Sequence, residues 1–163
     1  MSFIRFLMLL TLIVWIGGII FFAFIEAPTL FSVLPTIKLA GDVVSASLNK
    51  LHWTGLFCGL IFLIASLLYN WQKHEQLKLF TLDYVFVVLM LLMTAHSQFG
   101  ISPRMRELRP AMQSTDTSAS NHAQRAEFDR LHAWSTRLEG GILLLGLGVV
   151  FLTARRFDGA PSR

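Results

Sequence analysis

The sequence predicts an all-α integral membrane protein built as a four-helix bundle. Two observations predict it. Hydrophobic residues make up 54% of the chain and charged residues only 15%, well under the roughly 25% charged content of soluble domains. The apolar residues also gather into four runs close to the length a helix needs to cross a bilayer, about 20 residues for a core of about 30 Å at about 1.5 Å per residue. A helix suits that crossing because no water is available there to satisfy open backbone groups.

The runs can be taken in order. Phe6 to Ile25 carries no charge, His52 to Gln72 none apart from its histidine, and Tyr84 to Pro103 none apart from His96. These give spans over about 5–25, 51–71 and 80–101. The fourth uncharged run, Gly140 to Ala154, is short. A crossing over about 135–154 therefore recruits Ser135 to Glu139, or lets Arg155 and Arg156 snorkel with their stems in lipid. The start, Met-Ser-Phe-Ile-Arg before an apolar stretch, lacks a small-residue cleavage site and reads as a retained first helix. No linker divides the chain, so residues 1–156 form one domain, followed by a short tail over 157–163.

Trp53 and Trp134 mark one membrane interface and Tyr69, Trp71 and Tyr84 the other, while Trp15, in mid-span, belongs to neither belt. Gly55 and Gly59 have the small-xxx-small spacing that lets helices approach closely. With four spans both termini lie on one side, here the terminal side. Six Lys and Arg fall on that side and eight opposite, six of these eight spread through the third loop. Their density near the helix ends favours termini in the cytoplasm. The third loop, about 104–134, is expected to be soluble, with a mobile Ser/Thr/Ala stretch from Gln113 to Asn121 and a helix from Arg125 to Arg137 leading into the fourth span. No continuous basic block points to nucleic acid, and the single cysteine, Cys58, reads as a buried hydrophobe.

The two halves echo each other. The first span exits through Ala27-Pro28 and the third through Ser102-Pro103; the second is led in by Leu51-His52-Trp53-Thr54-Gly55 and the fourth by Leu131-His132-Ala133-Trp134-Ser135. The strings are short. They arise either by chance or from two pseudo-repeated hairpins related by an axis along the membrane normal.

Topology brings Glu26, His52, His96, His132, Arg137 and Glu139 to the non-terminal face. Ionisable groups at membrane depth are costly and turn toward a bundle interior, so a polar pocket is expected there. His52 and His132 are the candidate ligands for a transition metal or haem b, because a neutral imidazole ligates either. Glu139 and Glu26 are supporting groups, and His96, Arg104 and Arg137 secondary ones. The bland alternatives stand beside these: interfacial histidines bonded to carbonyls or carboxylates, Glu26 marking the interface, and Arg104 pairing with lipid phosphate, Glu107 or Glu127. No catalytic motif is present, which gives enzyme activity no support.

The strings Trp15-Ile16-Gly17-Gly18, Pro28 with Phe31, Leu51 to Gly55, Ser102-Pro103-Arg104-Met105 and Phe128 to Ser135 resemble the transmembrane-protein-205-like family, small four-helix membrane proteins of unknown function. The resemblance implies that fold and no settled activity. One eukaryotic member's association with resistance to platinum drugs implies a link to metals or metal complexes. More distantly, the layout is similar to bacterial copper-resistance membrane proteins and a haem-binding membrane protoporphyrinogen oxidase, with too few matching residues to carry their sites over.

Two functions follow as expectations, and a third, a proton-coupled path for a small solute through the histidines, ranks last because the terminal side offers only Asp83 as a titrating group. One is a membrane protein holding a metal ion or haem in a polar pocket at one face. The other is a non-catalytic helical module packing against lipids, a second copy or a partner membrane protein through its glycine-bearing faces.

Overall fold

A computed structural model describes residues 2–74, 82–113 and 119–158. Among them every regular element is helical: α1 (Ser2–Phe21), α2 (Ala27–Val33), α3 (Ile37–His74), α4 (Leu82–His96), α5 (Ser102–Gln113) and α6 (Ala119–Asp158). Four continuous helical stretches are long and apolar enough to cross a membrane, Ser2–Val33, Ile37–Gln72, Leu82–Pro110 and Asn121–Arg155. In the bundle α1 packs on α3, α3 on α4, α4 on α6 and α6 on α1. The pairs α1/α4 and α3/α6 are therefore the diagonals.

Proline explains the bends. Pro28 and Pro103 lack an N–H, and their rings crowd the carbonyl four residues back. In both places the helix widens by one π-helical turn just before the X-Pro pair. Phe22–Glu26 precedes Ala27-Pro28, and Ser97–Ile101 precedes Ser102-Pro103. The bonds match: the Ala27 N–H reaches the Phe22 carbonyl, and the Ser102 N–H the Ser97 carbonyl. Pro35 holds Leu34 extended, at φ −77° and ψ 141°, which ends α2. Thr36 then caps α3, its Oγ1 accepting the Leu39 N–H at 3.2 Å.

The helices outrun the apolar runs. α3 has 38 residues and α6 has 40, roughly 57 and 60 Å at about 1.5 Å per residue. The excess lies on the non-terminal side, where Ile37–Lys50, α5 and the first half of α6 form a helical cap. Much of the segment about 104–134 is thus helix rather than loop. The stretch from Gln113 to Asn121 lies partly outside the described residues, as does most of the connection from Lys73 to Lys78. The cap is stitched by arginines of α5. Arg109 donates to Asp42 Oδ1 at 2.6 Å and to the Gly41 carbonyl at 3.1 Å. Arg104 grips Glu127 through Nε at 2.8 Å and Nη2 at 3.2 Å, and Glu107 at 3.0 Å.

Burial repeats between the halves. Met8, Leu12, Trp15 and Ile19 are buried in α1, and at one constant offset so are Asp83, Val87, Met90 and Thr94 in α4. Gly55, Phe62, Ser66 and Tyr69 of α3 correspond in the same manner to Ser135, Ile142, Gly146 and Val149 of α6, all buried. The register breaks where the polar residues lie: His52 is buried and His132 exposed, Asn70 is buried and Val150 exposed, and Gln98 is buried and Ala23 exposed.

The core explains the misplaced tryptophan. Trp15 is 2% exposed, and its indole lies flat in the space left by Gly55 and Gly59. Tyr69, expected at the interface, is fully buried, its hydroxyl accepting from Arg5 Nη2 at 3.3 Å and its ring under the same guanidinium. Trp53, Trp71 and Trp134 are at the surface as membrane-interface rings require.

Candidate functional site

The polar centre starts from α3. His52 opens the apolar run of that helix and points to the bundle axis, 2% exposed. Its Nε2 lies 2.7 Å from Glu139 Oε1 of α6, and its Nδ1 lies 2.9 Å from Gln98 Oε1. The Gln98 amide nitrogen donates in turn to Asn49 Oδ1 at 2.5 Å, three residues before His52 on α3. The result is one line of hydrogen bonds, Glu139–His52–Gln98–Asn49. It joins the diagonal pair α3/α6 and ties both to the π turn after α4. Gly55, one turn further along α3, leaves the groove for Trp15, so His52 closes the mouth directly above the apolar core.

The bonding fixes a proton count. With the Gln98 nitrogen donating to Asn49 and its oxygen turned to His52, Nδ1 carries a hydrogen and donates; with both amides turned over, Nδ1 accepts and a neutral ring donates Nε2–H to the Glu139 carboxylate, again with one proton between Nε2 and Oε1. In both cases Nε2 faces a carboxyl oxygen at 2.7 Å. In the first, either the ring is an imidazolium donating to a carboxylate, or a neutral ring accepts from a protonated Glu139. All of these arrangements contain one proton between Nε2 and Oε1. Without it two lone-pair acceptors face each other, and the contact across the diagonal turns repulsive.

The other predicted residues are elsewhere. His132 is exposed and stacks on Phe128, ring centroids 6.4 Å apart and planes within 6°. The two are four residues apart on α6, so their rings stack along that helix while His132 stays outside the bundle. It does not join His52, and a two-histidine axial set for haem does not form. Glu26 is half-buried at the end of the first π turn, in a separate groove with Lys50. His96 is exposed beside Trp134 and Leu138. Arg137 is exposed with its guanidinium 5.8 Å above the Trp134 ring. Arg104 belongs to the cap. Among the described residues no three His, Cys, Asp or Glu side chains converge as a metal cage would require.

Two features were not singled out in the sequence. Gln98 and Asn49 complete the centre; the available signal was an amide in an otherwise apolar span and an i,i+3 pair with His52. The second is a buried polar group at the terminal end, comprising Ser66, Tyr69, Asn70, Asp83 and Thr153, with Arg5 partly buried beside Tyr69. The spacing of Ser66, Tyr69 and Asn70 on one face of α3 was the signal there. Between the two polar ends lie Trp15, Phe62, Met90 and Ile142, part of the apolar core.

Comparison with known families gives a match. Residues 10–114 fit the family model described as Domain of unknown function (DUF4149). The chain belongs to that family. The DUF4149 match runs from the middle of α1 through α5, including Asn49, His52 and Gln98, and stops before α6. Glu139, which closes the centre, therefore lies outside the matched residues. No curated protein and no solved structure matches the chain.

Outside the apolar runs, electrostatics act on the cap. The Arg104 guanidinium holds the Glu127 carboxyl below its usual range, and the pairing raises Arg104 further above its own. A carboxyl lowered in this manner contributes stability that is complete above its ordinary titration range and is lost as pH falls through the lowered value. The α5–α6 tether should therefore stay charged through mildly acidic pH. In a carboxyl-carbon NMR titration, the Glu127 midpoint should rise in Arg104→Gln; an unchanged midpoint would show that the pair is not formed in solution.

Proposed function

We propose that this DUF4149 protein is a proton-responsive membrane bundle in which His52 and Glu139 together hold one labile proton at the mouth of the helices. The observation that carries it is the 2.7 Å imidazole–carboxyl contact across the α3/α6 diagonal. That contact needs the shared proton, so its loss would loosen α3 from α6 where the membrane core meets the cap. Ionisable groups held at membrane depth are costly and serve a site by default. Lys and Arg density near the helix ends supports termini in the cytoplasm, with the centre at the opposite face. The short strings quoted above support the finer placement among transmembrane-protein-205-like proteins.

The test is infrared difference spectroscopy on protein in lipid as pH is stepped. A carboxylic-acid C=O band that changes with pH and vanishes in Glu139→Gln supports the reading. A spectrum without any band assignable to Glu139 sinks it. A proton flux in proteoliposomes that Glu139→Gln abolishes would extend the reading to transport.

The donor set also supports a second reading. Imidazole and carboxylate are ligands for a divalent transition metal, and a cation at Nε2 would replace the shared proton, with the Gln98 and Asn49 oxygens left on the opposite, Nδ1, side of the ring. Haem fits less well, because His132 is on the outside. Stoichiometric metal in purified protein, lost in His52→Ala, would favour this second reading. The packing-module alternative loses two of its surfaces, since Trp15 and Leu91 fill the space beside Gly55 and Gly59 within the chain itself.

A further inference from the structure

On the outer flank of α1 and α3, away from the polar centre, a groove of about 270 Å³ opens between Phe21 and Phe22 on one side and Ser47, Lys50, Leu51 and Thr54 on the other. Gly18 and Glu26 also line it. We propose that this groove binds the headgroup of a zwitterionic aminophospholipid, the phosphoethanolamine type, with Lys50 on the phosphate and Glu26 on the ammonium.

Three observations lead there. First, the groove is amphipathic along its length. Gly18, Phe21, Phe22 and Leu51 belong to the apolar runs, while Glu26 and Lys50 come where those runs give way to the cap. Second, the two charges are opposite and unspent. Neither the Glu26 carboxylate nor the Lys50 ammonium makes an ion pair or hydrogen bond among the described residues, although both line one groove. They stand farther apart than ion-pair distance, leaving room for a group carrying the complementary pair. Third, the acid is placed by the π turn Phe22–Glu26, whose extra residue turns the end of that helix by about 100° relative to an unbroken one.

The chemistry selects the occupant. A phosphate alone would meet the Glu26 carboxylate and be repelled. A quaternary ammonium satisfies the charge of Glu26 but offers it no N–H. A primary ammonium beside a phosphodiester satisfies both, as two charge-assisted hydrogen bonds. The volume suits a headgroup rather than a whole lipid, so the acyl chains would run down Phe21 and Leu51 into the bilayer.

The experiment is native mass spectrometry of the full chain released from nanodiscs containing equal phosphatidylethanolamine, phosphatidylglycerol and phosphatidylcholine. Retained phosphatidylethanolamine should exceed each of the others, and Glu26→Gln or Lys50→Gln should each cut that excess about tenfold, the scale of one lost charged hydrogen bond. Both side chains are partly or fully exposed, and circular dichroism with the melting midpoint will show that the variants fold as the wild type does. Equal retention of the three lipids overturns the proposal. So does a preference for phosphatidylglycerol, which would make Lys50 a simple anion contact, and so does an ethanolamine preference that survives both substitutions.

Discussion

Glu139→Ala should destabilise the bundle by about 3 kcal/mol, the scale for breaking a buried pair from one side. The reason is what remains rather than what is removed. His52 stays 2% exposed with Nδ1 bonded to Gln98, and its Nε2 is left without a partner in a place water does not readily reach. The cost should fall sharply when both members are replaced by leucine, because an apolar pair of similar size leaves no buried charge. Gln98 keeps its bond to Asn49 in that double variant. Reversible unfolding in mixed micelles gives all four corners of the cycle, including His52→Leu alone. If the double variant is as unstable as the sum of the two single ones, the pair is not coupled and the polar centre is two independent interfacial residues.

This coupling shows what could and could not be read from the sequence. The number of crossings was legible because bilayer thickness imposes a length on apolar runs, and Phe6 to Ile25 or His52 to Gln72 meet it without ambiguity. The presence of His52 and Glu139 near one face was legible from topology alone. Azimuth was not. On a regular wheel His132 and Glu139, seven residues apart, lie on one side of α6, yet among the described residues nothing covers that flank in the cap and His132 is exposed. Gln98 was hidden for a different reason. It follows α4 inside a π turn, and the inserted residue rotates everything after it by about 100° relative to an unbroken α-helix. Even so, a regular wheel through Tyr84 to Pro103 keeps Gln98 on the side of the buried Val87 and Thr94; what the wheel does not show is that His52 and Asn49 of α3 come to meet it. The buried group at the terminal end escaped notice because polar residues near a span's end, such as Tyr69 and Asp83, are ordinarily interfacial anchors.

The tryptophan that fits neither interface belt leads to the second large effect. A methyl group at Gly55 would overlap the Trp15 indole nitrogen, and one at Gly59 would come within 2.7 Å of Trp15 Cζ3 and 2.6 Å of Leu91 Cδ2. Trp15 is rigid and enclosed between α1 and α3, so the helices themselves must separate to admit the added atoms. Gly55→Val should then cost about 3 kcal/mol, the upper end of overpacking in a close-packed core. Gly17→Ala and Gly140→Ala meet nothing within 4 Å. They should be neutral or stabilising by up to about 1 kcal/mol, since alanine is the better helix former. Shrinking the intruder provides the internal control. Trp15→Leu opens a cavity and destabilises on its own, but combined with Gly55→Ala it should recover part of the loss, because the new methyl group occupies vacated space. Melting midpoints in one detergent would measure the set. Equal tolerance of alanine at Gly17 and Gly55, or no recovery in the double variant, would mean that α1 and α3 are not held apart by the indole. The closeness of the helices beneath the polar centre would then need another cause.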